Sequence, residues 1–123
     1  MTRIFFIIGS LSGLLAVALG AFAAHALKEK LSPDLFNIFE VGVRYHFYHA
    51  LALFVVAWGV GQFPGANLSP SGWLFVAGTA IFSGSLYALS LTGVRWFGAV
   101  TPVGGVCFLA GWFWMAWQVW RAT

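Results

Sequence analysis

The chain has 123 residues, of which 61% are hydrophobic and 7% charged, with a formal net charge of +3. A soluble domain carries about 25% charged residues, so this composition excludes a globule coated by water and points to lipid as the solvent. The six basic and three acidic residues fall at or near segment ends, which is not the one-sided basic stripe of a nucleic-acid binder.

Ile4 to Ala24 is the first apolar run and carries no charge. At about 1.5 Å per residue it is long enough for a hydrocarbon core of about 30 Å. It also imitates a signal peptide, with Arg3 as a short basic leader and Ala21-Phe22-Ala23 and Ala24-His25-Ala26 as cleavage-like triplets. Its length exceeds a usual signal core, which favours a span. Gly9, Gly13, Ala16, Gly20 and Ala24 recur every three or four residues. Such a smooth ridge lets membrane helices approach backbone to backbone.

Lys28, Glu29 and Lys30 make the most charged stretch. Ser32-Pro33-Asp34 then reads as a helix start, with a Ser cap, Pro in the first turn and an acid against the helix dipole. From there a helix can run unbroken to about Gly61. Asn37, Glu40 and Arg44 stripe one side of its first part, opposite Leu35, Phe36, Phe39 and Val43. Residues 33–44 are therefore expected to lie at the membrane surface as a short amphipathic helix, with Glu40 and Arg44 paired. Residues 45–61 form the second span.

Gly61 to Gly72 is an uncharged loop, and Ser69 or Ser71 is a candidate cap for the next helix. The third span, 73–91, carries Ala80-x-x-x-Gly84-x-x-x-Ala88 and a cluster of hydroxyls at Thr79, Ser83, Ser85, Tyr87 and Ser90. Thr92-Gly93-Val94-Arg95 is a tight connection. Pro102 would break a hydrogen-bond ladder deep in a helix, so the fourth span is expected over 102–120, with Thr101 as its cap and 96–100 as an interfacial or re-entrant piece. Gly104, Gly105 and Gly111 give this helix a smooth face. The lone Cys107 excludes an intrachain disulfide and a cysteine zinc site, and reads as a buried structural residue.

The expected fold is thus one all-α integral membrane domain over 1–123, a four-helix bundle with an interfacial helix before the second span. Four spans put Arg3 and Arg121 on one side and Lys28, Lys30, Arg44 and Arg95 on the other. Four positive charges against two favour external termini and a cytoplasmic 27–44 segment. Trp58, Trp73, Trp114, Trp117 and Trp120 gather on the terminal side as an aromatic belt would.

Candidate chemistry centres on Tyr45-His46-Phe47-Tyr48-His49. His46 and His49, three apart, share a helix face, and His25, Tyr87, Ser83 and Ser85 are expected at similar depth. Four readings stand. The polar groups hold helices together. They bind a metal, haem, quinone or lipid headgroup. They serve a proton-coupled transporter, although the four spans lack the carboxylate this usually requires. Or they catalyse, with Ser85 and His49 as nucleophile and base, although no orienting carboxylate accompanies them.

Four stretches in order carry a resemblance: Gly20-Ala21-Phe22-Ala23-Ala24-His25-Ala26-Leu27, Tyr45-His46-Phe47-Tyr48-His49-Ala50-Leu51-Ala52-Leu53, Phe82-Ser83-Gly84-Ser85-Leu86-Tyr87, and Thr101-Pro102-Val103-Gly104-Gly105 with Gly111-Trp112. The chain resembles the domain-of-unknown-function 423 family, small four-span inner-membrane proteins of bacteria that are similar to the eukaryotic transmembrane protein 256. The resemblance implies the four-helix membrane fold and places His25 and His49 at the family's two characteristic histidine positions. The chain departs from the family pattern at Ala23, commonly Gly, and at His46, commonly Gln. No substrate follows from it. The favoured function is a non-enzymatic accessory or interaction subunit of a membrane assembly. Its partners would be the bilayer and either other membrane proteins or further copies of itself. The alternatives are a binding protein using His25 and His49, whose cofactor or metal is unspecified, and a small transporter.

Overall fold

The computed structural model describes Met1–Ala122, and among these residues there is no strand. Four helices follow one another: α1 (Thr2–Leu27), α2 (Pro33–Gln62), α3 (Ser69–Thr92) and α4 (Phe97–Arg121). Three of them, α1, α3 and α4, are long and apolar enough to cross a membrane. α2 is the longest at 30 residues, and the charges of its first turns dilute its apolarity.

Each boundary has a local cause. α1 outruns its expected end because its last five residues, Ala23–Leu27, widen into a π-turn, closed by Lys28 N–H on the Ala23 carbonyl at 3.0 Å. Ser32 caps α2 as expected, its hydroxyl accepting from Leu35 N–H at 3.3 Å, with Pro33 in the first turn. α2 is a single helix, and the stretch expected at the surface, 33–44, is its beginning. Phe39 there packs on Ala23 and Leu27, and Val43 on Gly20, so this stretch runs antiparallel to the last turns of α1. α3 contains a second π-turn at Thr79–Ser83. It ends at Gly93, whose φ of +74° is the left-handed conformation that glycine tolerates best.

α4 begins at Phe97, five residues before the expected start, so 96–100 is not a separate re-entrant piece. Pro102 sits inside the helix. Lacking an N–H, it leaves the Gly98 carbonyl four residues earlier without its ladder bond, and its ring crowds that same carbonyl. Thr101 does not cap. Its hydroxyl turns back to the Phe97 carbonyl at 3.3 Å and meets Ser85 Oγ on α3 at 2.6 Å.

The helices pack in chain order. α1 lies along α2, α2 against α3, and α3 against α4. Small residues set how closely they approach. A Cβ on Gly104 would fall 2.4 Å from the Phe82 backbone nitrogen, and one on Gly111 2.6 Å from the Phe75 ring. On α1, Gly9 meets the Ala50 carbonyl and Gly20 meets Val43, while Ala16 is buried. Three ridges proposed from sequence therefore differ in use. Those of α1 and α4 are largely consumed inside the chain, whereas Gly13 and Gly84 have nothing within 4 Å of a built Cβ. Gly105 has only the Phe82 ring, at 4.0 Å.

The main core lies toward the chain termini, where Phe5, Leu53, Val56, Phe75 and Phe108 are buried together. A second core at the opposite end gathers Ala23, Leu27 and Phe39 against Val43 and Tyr87. The linker between α2 and α3 is fastened to α4. Asn67 N–H donates to Gln118 Oε1 at 3.0 Å, and Trp114 Nε1–H donates to the Asn67 carbonyl at 2.9 Å. The expected Glu40–Arg44 pair is not formed. The ion pair present among the described residues joins Arg95, before α4, to Asp34, at the start of α2, at 2.9 Å.

Candidate functional site

The polar side chains of the 45–49 stretch part company. His46 and His49 are both buried, 4% and 5% exposed, yet they serve different neighbours. His46 turns toward α3, where its Nδ1 and the Tyr87 hydroxyl are 2.9 Å apart. The Tyr87 ring lies on Phe39 at 4.9 Å between centroids, and a Cβ on Gly42 would fall 2.9 Å from that ring. Ser83, one turn from Tyr87, donates to the Gly42 carbonyl at 2.7 Å. One group of α2–α3 contacts thus joins His46, Tyr87 and Ser83.

His49 turns instead toward α4. Its Nδ1 lies 2.8 Å from the Tyr45 carbonyl, and its Nε2 lies 3.0 Å from the Trp112 indole nitrogen. A carbonyl can only accept and an indole N–H can only donate. The ring is therefore neutral, with its proton on Nδ1 and its lone pair on Nε2. The Phe108 ring stacks flat on it at 3.6 Å between centroids and 6° between planes. Phe75 and Trp112 approach its edges. Four aromatic or carbonyl neighbours from three helices hold this imidazole in one pose.

These geometries correct the expected cluster. His25 is exposed at the end of α1 and does not share hydrogen bonds with His49, both of whose nitrogens are engaged elsewhere. Sharing a helix face does not bring His46 and His49 to one ligand, because α3 inserts Tyr87 beside the first and Phe75 beside the second. Ser85 and His49 do not hydrogen-bond as nucleophile and base, since the bonds of each go to other partners. Ser85 bonds the Phe82 carbonyl at 2.9 Å and Thr101. Among the described residues no group of three or more His, Cys, Asp or Glu is placed to hold a metal ion. Cys107 is half-buried rather than fully buried.

Several residues in these contacts take roles that the sequence did not assign to them. Trp112 is the partner of His49, and the signal for it was present: Phe108 and Trp112 are four apart, so both fall on one face of α4. Neither Ser69 nor Ser71, the candidate caps, caps α3, whose cap position is Leu68; Ser71, with no exposed surface, instead donates to the Gly111 carbonyl at 2.7 Å. Gln118 carried no signal, since a polar residue near a helix end reads as solvated.

Two grooves flank these contacts. One, of about 440 Å³, runs between α1 and α3 over α2, and His46, Ser83 and Tyr87 line it together with Ser12 and Thr79. The other, of about 380 Å³, runs between α2 and α4, lined by Tyr45, His49, Pro102, Phe108 and Trp112. Both are open along their length and largely apolar.

The family described as "Protein of unknown function (DUF423)" matches residues 19–105. The chain is 47% identical over 111 residues to the UPF0382 membrane protein YwdK of Bacillus subtilis, covering 89% of this chain and 90% of that protein. A UPF0382 membrane protein of Staphylococcus epidermidis is 46% identical over 110 residues, with 89% of each covered. One of Staphylococcus aureus is 42% identical over 110 residues, again with 89% of each covered. No solved structure matches the chain.

Proposed function

The chain belongs to the DUF423 family of membrane proteins, and on that premise we propose that it is a four-span protein of the bacterial inner membrane. It works without catalysis, as an accessory or interaction subunit of a membrane assembly. Its fourth span is α2. Although less apolar than the others, α2 follows α1 from Phe39 beside Ala23 and Leu27, through Ala50 beside Gly9, to Ala57, whose carbonyl accepts from Thr2. If α1 crosses the bilayer, α2 crosses with it, and its 30 residues supply about 45 Å of length. The termini are external, and the side bearing Lys28, Lys30, Arg44 and Arg95 is cytoplasmic.

The observation that supports this reading most is how little of the chain lies outside the helices. The linkers are residues 28–32, 63–68 and 93–96. Such segments leave no room for a soluble active site. Outward faces of α1 and α4 are apolar along their length, with Leu14 and Val17 on one and Leu109 and Phe113 on the other well exposed. Lipid or another membrane protein is what these faces suit. Meanwhile His49, Ser71, Ser83 and Ser85 are occupied in tying helices together. That leaves the pair first suggested for catalysis, Ser85 and His49, without free functional atoms for each other.

Cross-linking in native membranes, followed by purification in mild detergent, tests the proposal. A reproducible partner, either a second membrane protein or a further copy of this chain, is expected. Recovery as a lone monomer with no cross-linked product would sink it.

A further inference from the structure

The groove between α1 and α3 has features that the α2–α3 contacts do not account for. His46 is 4% exposed and lines it, but the Tyr87 contact uses only Nδ1. Every fully enclosed side-chain nitrogen or oxygen among the described residues has a hydrogen-bond partner. Nε2, which has no protein partner among them, must therefore open outward, and the groove is the space beside it. Whichever way the shared proton points, Nε2 remains available. It donates if Tyr87 O–H donates to Nδ1, and accepts if Nδ1–H donates to Tyr87.

The groove's shape runs away from this nitrogen. Leu19 and Leu15 of α1 line it near His46, and Ile8 lines its far end. From Leu19 to Ile8 is about 16 Å along the helix. Next along α1 comes Phe5, which has no exposed surface and packs on Gly72, where a Cβ would fall 2.3 Å from its ring. The lining contains no Lys, Arg, Asp or Glu, so a charged headgroup would find no counter-charge. Its volume of about 440 Å³ falls within the roughly 300–1,000 Å³ of small-molecule sites. A long apolar slot with one buried, half-satisfied imidazole at its head suits one kind of occupant.

We propose that this groove binds an uncharged single-chain lipid whose head offers a hydroxyl or carbonyl to His46 Nε2, with the chain lying along α1 toward Phe5. Ser12 and Thr79, which also line the groove, add hydroxyls part-way along. Gly84 keeps it open. It lines the groove, and a Cβ there meets nothing within 4 Å, so a larger side chain fits the fold and fills the slot.

Native mass spectrometry of the full-length protein in mild detergent reads the outcome. The probes are monooleoylglycerol and decylubiquinone, with dioleoyl phosphatidylglycerol as the charged comparison. The expected result is one neutral lipid bound per chain, by either or both neutral probes. The arm that binds more tightly tells a glycerol-type head from a quinone carbonyl. Gly84→Leu should abolish the adduct. His46→Phe, which keeps a ring but no nitrogen, should weaken it about five- to tenfold, the loss of one hydrogen bond. Gly13→Leu is the control, since Gly13 also has open space but does not line the groove, and it should bind as the unaltered protein does. Thermal melting of each variant reports whether it has folded, and Ser12→Leu fills the same groove from α1 should Gly84→Leu fail to fold. Equal binding by unaltered protein and groove-filled variants overturns the proposal. So does preference for phosphatidylglycerol, or a dimer whose formation Gly84→Leu blocks while no lipid adduct is seen.

Discussion

Trp112 donates its indole N–H to Nε2 of His49 at 3.0 Å, and this bond fixes which nitrogen of the imidazole carries the proton. It joins α4 to α2 across the edge of α3. Interhelical hydrogen bonds in membranes average about 0.6 kcal/mol and reach about 1.7. Trp112→Phe keeps much of the ring packing and removes the donor, so it should cost roughly 0.5–1.5 kcal/mol. His49→Phe, which also loses the Tyr45 contact, should cost at least as much, and the double variant less than the sum, because both changes remove the same Trp112–His49 bond. Chemical unfolding in detergent measures all three. Nitrogen-15 NMR of labelled histidine, with the His49 signals assigned by their loss in His49→Phe, should show that ring neutral and protonated at Nδ1, and a His49 ring protonated at Nε2 would contradict the geometry.

The glycines supply a second prediction. At Gly104 an added methyl would collide with the Phe82 backbone at 2.4 Å, and a backbone atom cannot swing aside. Gly104→Ala should therefore force α3 and α4 apart, at a cost of about 1–3 kcal/mol. Gly13→Ala meets nothing within 4 Å. It should be neutral, or stabilise by up to about 1 kcal/mol through helix propensity. Melting temperatures of the two variants in one detergent should move in opposite directions, or the first should fall while the second stays. Equal losses would mean that Gly13 packs on something outside the chain.

How legible these features were in the sequence depended on range. Caps, turns and smooth ridges are local, and Ser32, Gly93 and the α1 ridge behave as their neighbours in sequence dictate. Helix ends were less so. A π-turn carries α1 on to Leu27, and α4 begins at Phe97, so Pro102 falls inside the helix rather than at its start. Side-chain partners were the least legible. Spacing shows that His46 and His49 lie on one side of a helix. Which neighbour each meets depends on how α3 is rotated, and a π-turn at Thr79–Ser83 resets that rotation. The pairing of His25 with His49 rested on equal depth alone, and depth says nothing about which way a ring points.

At the end of the bundle near Lys28, two surface features separate a cap from an ion pair. Ser32→Ala removes the acceptor for Leu35 N–H at the first turn of α2 and should cost about 1 kcal/mol. Asp34→Asn breaks the bridge to Arg95, but both side chains are about two-thirds exposed, at 64% and 67%. Solvent screens such a pair, and the change should stay within about 1 kcal/mol and shrink further in high salt. Unfolding at low and high ionic strength distinguishes them, since the Ser32 effect should not respond to salt.

A final prediction concerns the depth of α2. If α2 crosses the bilayer beside α1, the 28–32 and 63–68 linkers lie on opposite faces. If only α1, α3 and α4 cross, both linkers share a face. Single cysteines separate these cases: Lys30→Cys in the first linker and Gly65→Cys in the second, each with Cys107→Ser to remove the native thiol. Gly65 accepts the change, since the closest atom to a Cβ there is the Ala122 carbonyl oxygen at 3.4 Å. With Lys28, Lys30, Arg44 and Arg95 holding their end in the cytoplasm, a membrane-impermeant maleimide on intact cells should label position 65 and spare position 30. Permeabilising the inner membrane should then expose both. Labelling of 30 and not 65 would reverse the orientation while keeping four spans. Labelling of both in intact cells, or of neither, would mean that α2 does not cross, and the packing of Phe39 on Ala23 and Leu27 would then have to form outside the bilayer.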